Sequence, residues 1–349
     1  MPELSPSQHE DYLTPAEKAR IYLAVGDGNR PLGEAVAREM DIELGSLEVK
    51  WHGDGEPFAR LDETITKKTA ILMQSHYSAN GLSPSDLFMQ HLGMIKSAAA
   101  RDPAEMIIAS PYTFGARSEK EEERSEAAFA VVALDSLKNT ARADGVKRTL
   151  VTVDHHAPSV LANYDPSYNI SVQSLVIEAF REKIVGERKD YVLLSPDEGH
   201  TKQNRKNASS LGLEVVDLEK VRDANDSTKI WRPKSRIRRL KGKKVFVLDD
   251  MVGSANTAVS AAEVAEASGA DELYLGATHL ILPDGAIDRL DKSPFNEVFG
   301  TNTIDVAWAE RELQKLRVLP IEKMLAKAFI RMITGRGSVS EVSAGSNGR

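Results

Sequence analysis

Residues 243–257 read Lys-Lys-Val-Phe-Val-Leu-Asp-Asp-Met-Val-Gly-Ser-Ala-Asn-Thr, and two adjacent carboxylates, Asp249 and Asp250, stand where a short apolar run ends. Small and hydroxylic residues follow, then an Ala-rich segment from Ala258. Such a run reads as a buried parallel strand, and the loop after it opens a helix. Free backbone N–H groups and the helix dipole at that point attract phosphate. Ser254, Ala255, Asn256 and Thr257 occupy the positions that would seat the anion. Asp249 and Asp250 are suited to hold sugar hydroxyls, or metal-bound water, beside it. A phosphorylated sugar satisfies both halves. The competing reading is an acidic strand-to-helix turn with no ligand.

Four further polar clusters follow expected strands. After 106–110 comes Pro-Tyr-Thr-Phe-Gly-Ala-Arg-Ser-Glu-Lys, which puts Arg117 and Lys120 on a loop as cations for triphosphate oxygens. After 149–153 comes Asp154-His155-His156-Ala157, and after 191–194 comes Ser195-Pro196-Asp197-Glu198-Gly199. After 214–217 comes Glu219-Lys220-Val221-Arg222, a polar stretch able to move. Each has a plainer explanation. A histidine pair at a strand end is ordinarily hydrogen-bonded structure, and Lys220 and Arg222 are ordinarily surface charges. Coincidence favours the functional reading: an imidazole and a carboxylate for a metal, cations for phosphates and a sugar loop all fall at strand ends.

The elements that must position these residues alternate. Strands are expected at 21–25, 70–74, 106–110, 149–153, 191–194, 214–217, 245–248 and 273–277. Helices are expected at 31–40, 86–100, 123–141, 202–211 and 258–268, the last closed by Gly269. Alternation of this kind means α/β with largely parallel sheets flanked by helices. There are too many units for one sheet. The expected division is an N-terminal extension at 1–17, one domain at 18–166, a second at 167–334 and a flexible tail at 335–349.

The 349 residues suffice for two cores, with 41% hydrophobic and 28% charged residues. With no cysteine there are neither disulfides nor thiolate metal sites, which suits a cytoplasmic protein. No apolar run approaches the ~18 residues of a membrane helix, and the polar start of the chain does not read as a signal peptide. A net charge of −7 argues against a nucleic-acid partner. The basic run 232–244, with eight Lys or Arg in thirteen positions, reads either as an anion site or as a solvated turn.

The order of these motifs resembles the ribose-phosphate pyrophosphokinase (phosphoribosyl pyrophosphate synthetase) family from about Ile21 to about Val342. Asp54-Gly55-Glu56 is similar to the family's nucleotide loop, and residues 111–120 to its Pro-Tyr-x-x-x-Ala-Arg-Gln-Asp-Arg segment. Residues 154–157 resemble Asp-Leu-His-Ala, 195–199 resemble Ser-Pro-Asp-x-Gly, and 220–222 resemble the Lys-x-Arg of a flexible catalytic loop. Residues 249–257 resemble its paired-Asp, Asp-Thr-x-Gly-Thr sugar loop, while Thr278-His279 and Thr301-Asn302-Thr303-Ile304 match late signatures.

The resemblance implies two phosphoribosyltransferase-like domains and a homo-oligomer, a hexamer built of dimers. It implies Mg²⁺ held by His156 and Asp197. ATP would be met by Asp54, Glu56, Arg117 and Lys120, the first two from a neighbouring subunit. Ribose 5-phosphate would be held by Asp249, Asp250 and Ser254 to Thr257, with Lys220 and Arg222 as catalytic cations. The implied reaction transfers a diphosphoryl group from ATP to the 1-hydroxyl of ribose 5-phosphate, giving phosphoribosyl pyrophosphate and AMP.

The departures are local. His52 stands where the family has an adenine-side Phe, Ser118 replaces a Gln, and Lys120 replaces an Arg. In the sugar loop Gly253 replaces Asp and Asn256 replaces Gly, so Asn256 is expected to supply the left-handed backbone. Two alternatives follow: the same chemistry on a larger acceptor such as ADP-ribose, or a catalytically silent paralogue that binds nucleotides and regulates a partner.

Overall fold

The apolar runs of the sequence become the strands of two separate parallel sheets, each with its own core. The computed structural model describes residues 10–118, 127–140, 145–195, 201–222, 229–233 and 240–343, with backbone alone for 201–203, 219–222 and 229–233.

In the first unit the chain runs α1 (Pro15–Lys18), β1 (Ile21–Val25), α2 (Arg30–Met40), β2 (Leu47–Trp51), β3 (Pro57–Leu61), β4 (Thr69–Met73) and α3 (Pro84–Ala99). It continues through β5 (Glu105–Ser110), α4 (Phe129–Thr140), β6 (Lys147–Val153), α5 (Pro158–Leu161) and β7 (Ser167–Ile170). Strands β1, β4, β5, β6 and β7 lie in that order, all parallel. Strands β2 and β3 form a separate antiparallel hairpin. The core gathers Tyr22, Leu72, Ile95, Ile108 and Leu134. Helix α3 starts two residues before the expected 86, because Ser83 and Asp86 form a reciprocal capping box and Pro84 is pre-set for a first turn. Helix α4 starts later than the expected 123, and residues 127 and 128 are not helical. There Ser118 takes over the cap, its carbonyl accepting from the Ala130 N–H at 3.1 Å.

The second unit runs α6 (Gln173–Lys183), β8 (Tyr191–Ser195), α7 (Thr201–Leu211), β9 (Glu214–Arg222), β10 (Lys229–Pro233), β11 (Lys244–Val252) and α8 (Asn256–Ala267). Then come β12 (Glu272–Leu280), α9 (Ala286–Lys292), β13 (Glu297–Thr301), α10 (Ala307–Glu312) and β14 (Leu316–Leu319). The sheet order is β10-β9-β8-β11-β12-β13-β14, parallel throughout except for the β9–β10 pair. Phe180 stacks on Phe246 with ring centroids 4.4 Å apart, and each such fully buried ring is worth about 1.5–3 kcal/mol. Gly276 permits this packing: a Cβ there would stand 2.4 Å from Val176 Cγ1 and 2.6 Å from Phe180 Cζ.

The unit boundary falls at Val172/Gln173, not at the expected 166/167, because β7 pairs with β6 and completes the first sheet. The end of the chain, with α11 (Glu322–Thr334) and α12 (Val339–Ser343), also belongs to the first unit. Helix α11 buries Leu325, Ala328 and Phe329.

The expected loose ends are docked where they are described. Leu13 is 2% exposed, and Asp11 bridges Lys327 and Arg331, both at 2.9 Å. Arg336 pairs with Glu17 at 3.0 Å, and Ser343 Oγ accepts from the Ser171 N–H at 3.0 Å. Among the described residues no helix is long and apolar enough to cross a membrane.

Candidate active site

In the second unit successive connections run outward from β8 to β9 and then return to β11 on the opposite side, so the strand order reverses between β8 and β11. In open parallel sheets, ligands bind beyond the C-terminal strand ends at such a point. Strand β11 pairs with β8 only over Lys244 to Val247 but follows β12 as far as Val252. It therefore overhangs β8 by five residues, and Asp249 and Asp250 sit on the overhang. The strand is longer than its expected 245–248, and both carboxylates belong to it rather than to the loop. Asp250 is buried, and its N–H donates to Asp249 Oδ1 at 2.9 Å, which orients the half-buried Asp249. Asn204 closes the gap below, donating to Ser195 Oγ at 2.9 Å and to the Leu248 carbonyl at 3.3 Å.

The turn after β11 corrects one expectation. Asn256 is the first residue of α8, and the left-handed residue is Ala255, with φ 64° and ψ −2°. The chain has to reverse one residue before the helix starts, and Asn256 is then free to take helical angles. Ser254, Asn256 and half-buried Thr257 surround the helix N-terminus, while Ala255 is buried. Arg289 on α9 donates from Nε to the Ser254 carbonyl at 2.7 Å and clasps the turn. Nothing in its spacing marks Arg289 in the sequence.

A left-handed Ala is strained by about 1–2 kcal/mol relative to its usual conformations. Ala255→Gly is expected to raise the unfolding free energy of the second unit by about 1 kcal/mol, measured by denaturant titration. A loss of stability would mean that the buried methyl contributes more through packing than it costs in strain.

In the first unit, adjacent parallel strands β5 and β6 bring two predicted clusters to one sheet edge. Arg117 is exposed on the loop after β5. After β6, Asp154 takes a left-handed φ of 35°, and its Oδ2 accepts from the Val172 N–H at 2.9 Å. His155 points into structure: its N–H donates to Asn169 Oδ1 at 2.9 Å and its Nδ1 accepts from the Ala157 N–H at 3.1 Å. The plain explanation thus covers His155, and half-buried His156 is the candidate ligand. Asp54 and Glu56 stand exposed at the tip of the β2–β3 hairpin, where Asp54 Oδ1 accepts from the Glu56 N–H at 3.1 Å.

Lys120 and Asp197 lie outside the described residues, as do the acidic run 119–126 and positions 234–239 of the basic run. Lys220 and Arg222 lie within strand β9, not on an irregular stretch; their backbone pairs with β10, Lys220 opposite Trp231 and Arg222 opposite Lys229. Of the basic run, Lys244 is taken up by Glu272 at 2.9 Å. The late Thr-His and Thr-Asn-Thr motifs are joined between β12 and β13, where Thr301 Oγ1 donates to the Thr278 carbonyl at 2.7 Å.

Two histidines that the sequence reading did not single out lie beneath the Arg117 loop. His76 and His91 are both fully buried, and His76 Nε2 is 3.0 Å from His91 Nδ1. The Phe114 N–H points at His76 Nδ1 at 3.1 Å, and His91 Nε2 lies 3.1 Å from the Leu72 carbonyl. An N–H can only donate and a carbonyl can only accept. Each ring therefore carries one proton, on Nε2, and any further proton would set two N–H groups against each other. Burial holds His76 well below 6.5, with His91 adding to the effect. Burial also draws His91 down to about 4, opposed by the Leu72 carbonyl. The unfolded chain takes up these protons first, so stability falls as pH drops from about 6.5 toward 4.

With this geometry in place, the likeness to known proteins is specific. Residues 21–140 match the N-terminal domain of ribose phosphate pyrophosphokinase, and residues 183–343 match the phosphoribosyl synthetase-associated domain. Ribose-phosphate pyrophosphokinase 1 of Lactococcus lactis is 30% identical over 305 residues, 87% of this chain and 90% of the relative. The ribose-phosphate pyrophosphokinase of Gloeobacter violaceus is 31% identical over 317 residues, 90% of each chain. The crystal structure of phosphoribosylpyrophosphate synthetase from Mycobacterium smegmatis superposes with a TM-score of 0.79 at 27% identity, covering 91% of this chain and 100% of that one. Together the fold and loops define an α/β protein with the phosphoribosyltransferase-like architecture. The chain belongs to the ribose-phosphate pyrophosphokinase family.

Proposed function

We propose that this chain transfers the diphosphoryl group of ATP to the 1-hydroxyl of ribose 5-phosphate, giving phosphoribosyl pyrophosphate and AMP. The observation that carries the reading is the second unit's loop: paired carboxylates at the strand-order reversal, followed by a left-handed turn into a helix N-terminus. Asp249 and Asp250 accept hydrogen bonds from ribose hydroxyls, and the turn from Ser254 to Thr257 seats the 5-phosphate. The 1-oxygen attacks the β-phosphorus, the bond from that phosphorus to the oxygen bridging the α-phosphorus breaks, and AMP leaves. The hydroxyl proton passes to solvent. Little covalent work falls to the protein, so positioning and charge stabilisation supply the rate. Lys220 and Arg222 are assigned to the charge that develops on the transferred group. Arg117, Lys120, Asp54 and Glu56 are assigned to ATP.

Magnesium is assigned to His156 and Asp197. A hard cation that takes few protein ligands and keeps several waters suits a half-buried imidazole acting partly through water. When bound with ATP it would neutralise phosphate charge. By family likeness the working form is a homo-oligomer in a reducing cytoplasm. The match to ribose-phosphate pyrophosphokinases over about nine-tenths of the chain favours ribose 5-phosphate over a bulkier acceptor.

Purified protein with ATP, Mg²⁺ and ribose 5-phosphate is expected to release AMP and phosphoribosyl pyrophosphate, identified by mass spectrometry. Faster turnover with ADP-ribose would move the acceptor assignment. Binding of ATP with no turnover on any acceptor would make the chain a silent paralogue.

A further inference from the structure

Residues 111–117 are held to the first unit's sheet by one residue at two points, one through its backbone and one through its side chain. The backbone N–H of His76 donates to the Tyr112 carbonyl at 2.8 Å, and the imidazole Nδ1 accepts from the Phe114 N–H at 3.1 Å. His76 itself lies in no strand or helix. Its ring is fixed by His91 on α3, which is tied in turn to the Leu72 carbonyl of β4. Phe88 meets the His76 ring edge-on at 5.3 Å and stacks on Phe114 at 5.1 Å. A chain of directional bonds thus runs from the sheet, through two imidazoles, to a backbone N–H three residues before Arg117.

Two buried imidazoles are a costly way to fill a core, because each polar nitrogen needs a partner. What they supply that an apolar pair would not is a fixed acceptor for the Phe114 amide. We propose that His76, held by His91, is a positioning residue for nucleotide binding: it sets the backbone of the 111–117 loop and so places Arg117 for the ATP phosphates. This inference rests on the assignment of that loop to ATP. Neither histidine touches substrate. His91 selects the Nε2–H form of His76 and leaves Nδ1 as the acceptor.

The test compares two substitutions at one position with Arg117→Ala. His76→Phe removes the acceptor, and loss of one buried hydrogen bond that orders a binding loop is expected to raise KM for ATP about tenfold. KM for ribose 5-phosphate should stay unchanged. His76→Asn places Oδ1 near the position of Nδ1 and should restore most of the ATP affinity. A purely structural histidine would instead lower active enzyme concentration without separating the two KM values. If Arg117→Ala raises KM for ATP while His76→Phe does not, positioning by His76 is wrong and the loop assignment stands. If Arg117→Ala also leaves KM for ATP unchanged, the loop is not the nucleotide site.

A second measurement needs no variant. Imidazole ¹⁵N shifts of histidine-labelled wild-type protein should show two buried rings protonated on Nε2 alone at neutral pH. A cation or an Nδ1–H form at either position would overturn the bond order on which the proposal depends.

Discussion

Lys220→Ala and Arg222→Ala are each expected to lower kcat by about 100-fold or more while leaving KM for ribose 5-phosphate nearly unchanged. Negative charge on the transferred group is greatest as the bond to AMP lengthens, so a cation acting there contributes to the transition state more than to the bound sugar. The backbone of both positions is paired with β10, and alanine keeps its N–H and carbonyl for that ladder. The substitutions therefore remove charge without removing the strand. Steady-state kinetics with each substrate varied in turn separates the terms. Full activity in both variants would return the two residues to ordinary surface charges.

Asp249→Asn and Asp250→Asn should act on the other substrate. Hydrogen bonds to a carboxylate are roughly twice as strong as neutral ones, so each change is expected to raise KM for ribose 5-phosphate about tenfold to a hundredfold. Asparagine at 249 keeps an oxygen for the Asp250 N–H, so the strand end should hold its shape. An unaltered thermal midpoint beside a raised KM would show that charge is read by ligand and not by fold. Unchanged KM in both variants would make the pair an acidic turn with no ligand, the reading that competes from the sequence.

Most strands that build the two sheets were legible because they are buried on both faces and read as continuous apolar runs. Those the sequence hid are short or mixed. Strand β10, Lys-Ile-Trp-Arg-Pro, ends in proline, and β7, Ser-Tyr-Asn-Ile, buries only Ile170. Strand β13 carries Gly300, which reads as a break but is required, since a Cβ there would meet Leu280 at 2.3 Å.

At the site, the types and order of charged residues were legible, because phosphate and sugar chemistry demands them at strand ends. Backbone handedness was not. Alanine carries no signal for φ above zero, so the special position was expected at Asn256 and found at Ala255. The histidine relay was equally hidden. His76 and His91 are fifteen residues apart, and only the packing of α3 against β4 makes them neighbours.

The docked chain ends have a consequence for how the molecule is made. Helix α11 packs on α2, and Arg331 and Arg336 hold Asp11 and Glu17, so the first unit needs the last stretch of the chain to be complete. The second unit is drawn from Gln173–Asn302 and Val306–Leu319. On the ribosome, therefore, the domain begun second has all its strands before the domain begun first receives its final helix, reversing the usual N-terminal-first order. A chain cut back to Leu319 would keep every strand of the second unit while the first unit lacked its closing helices.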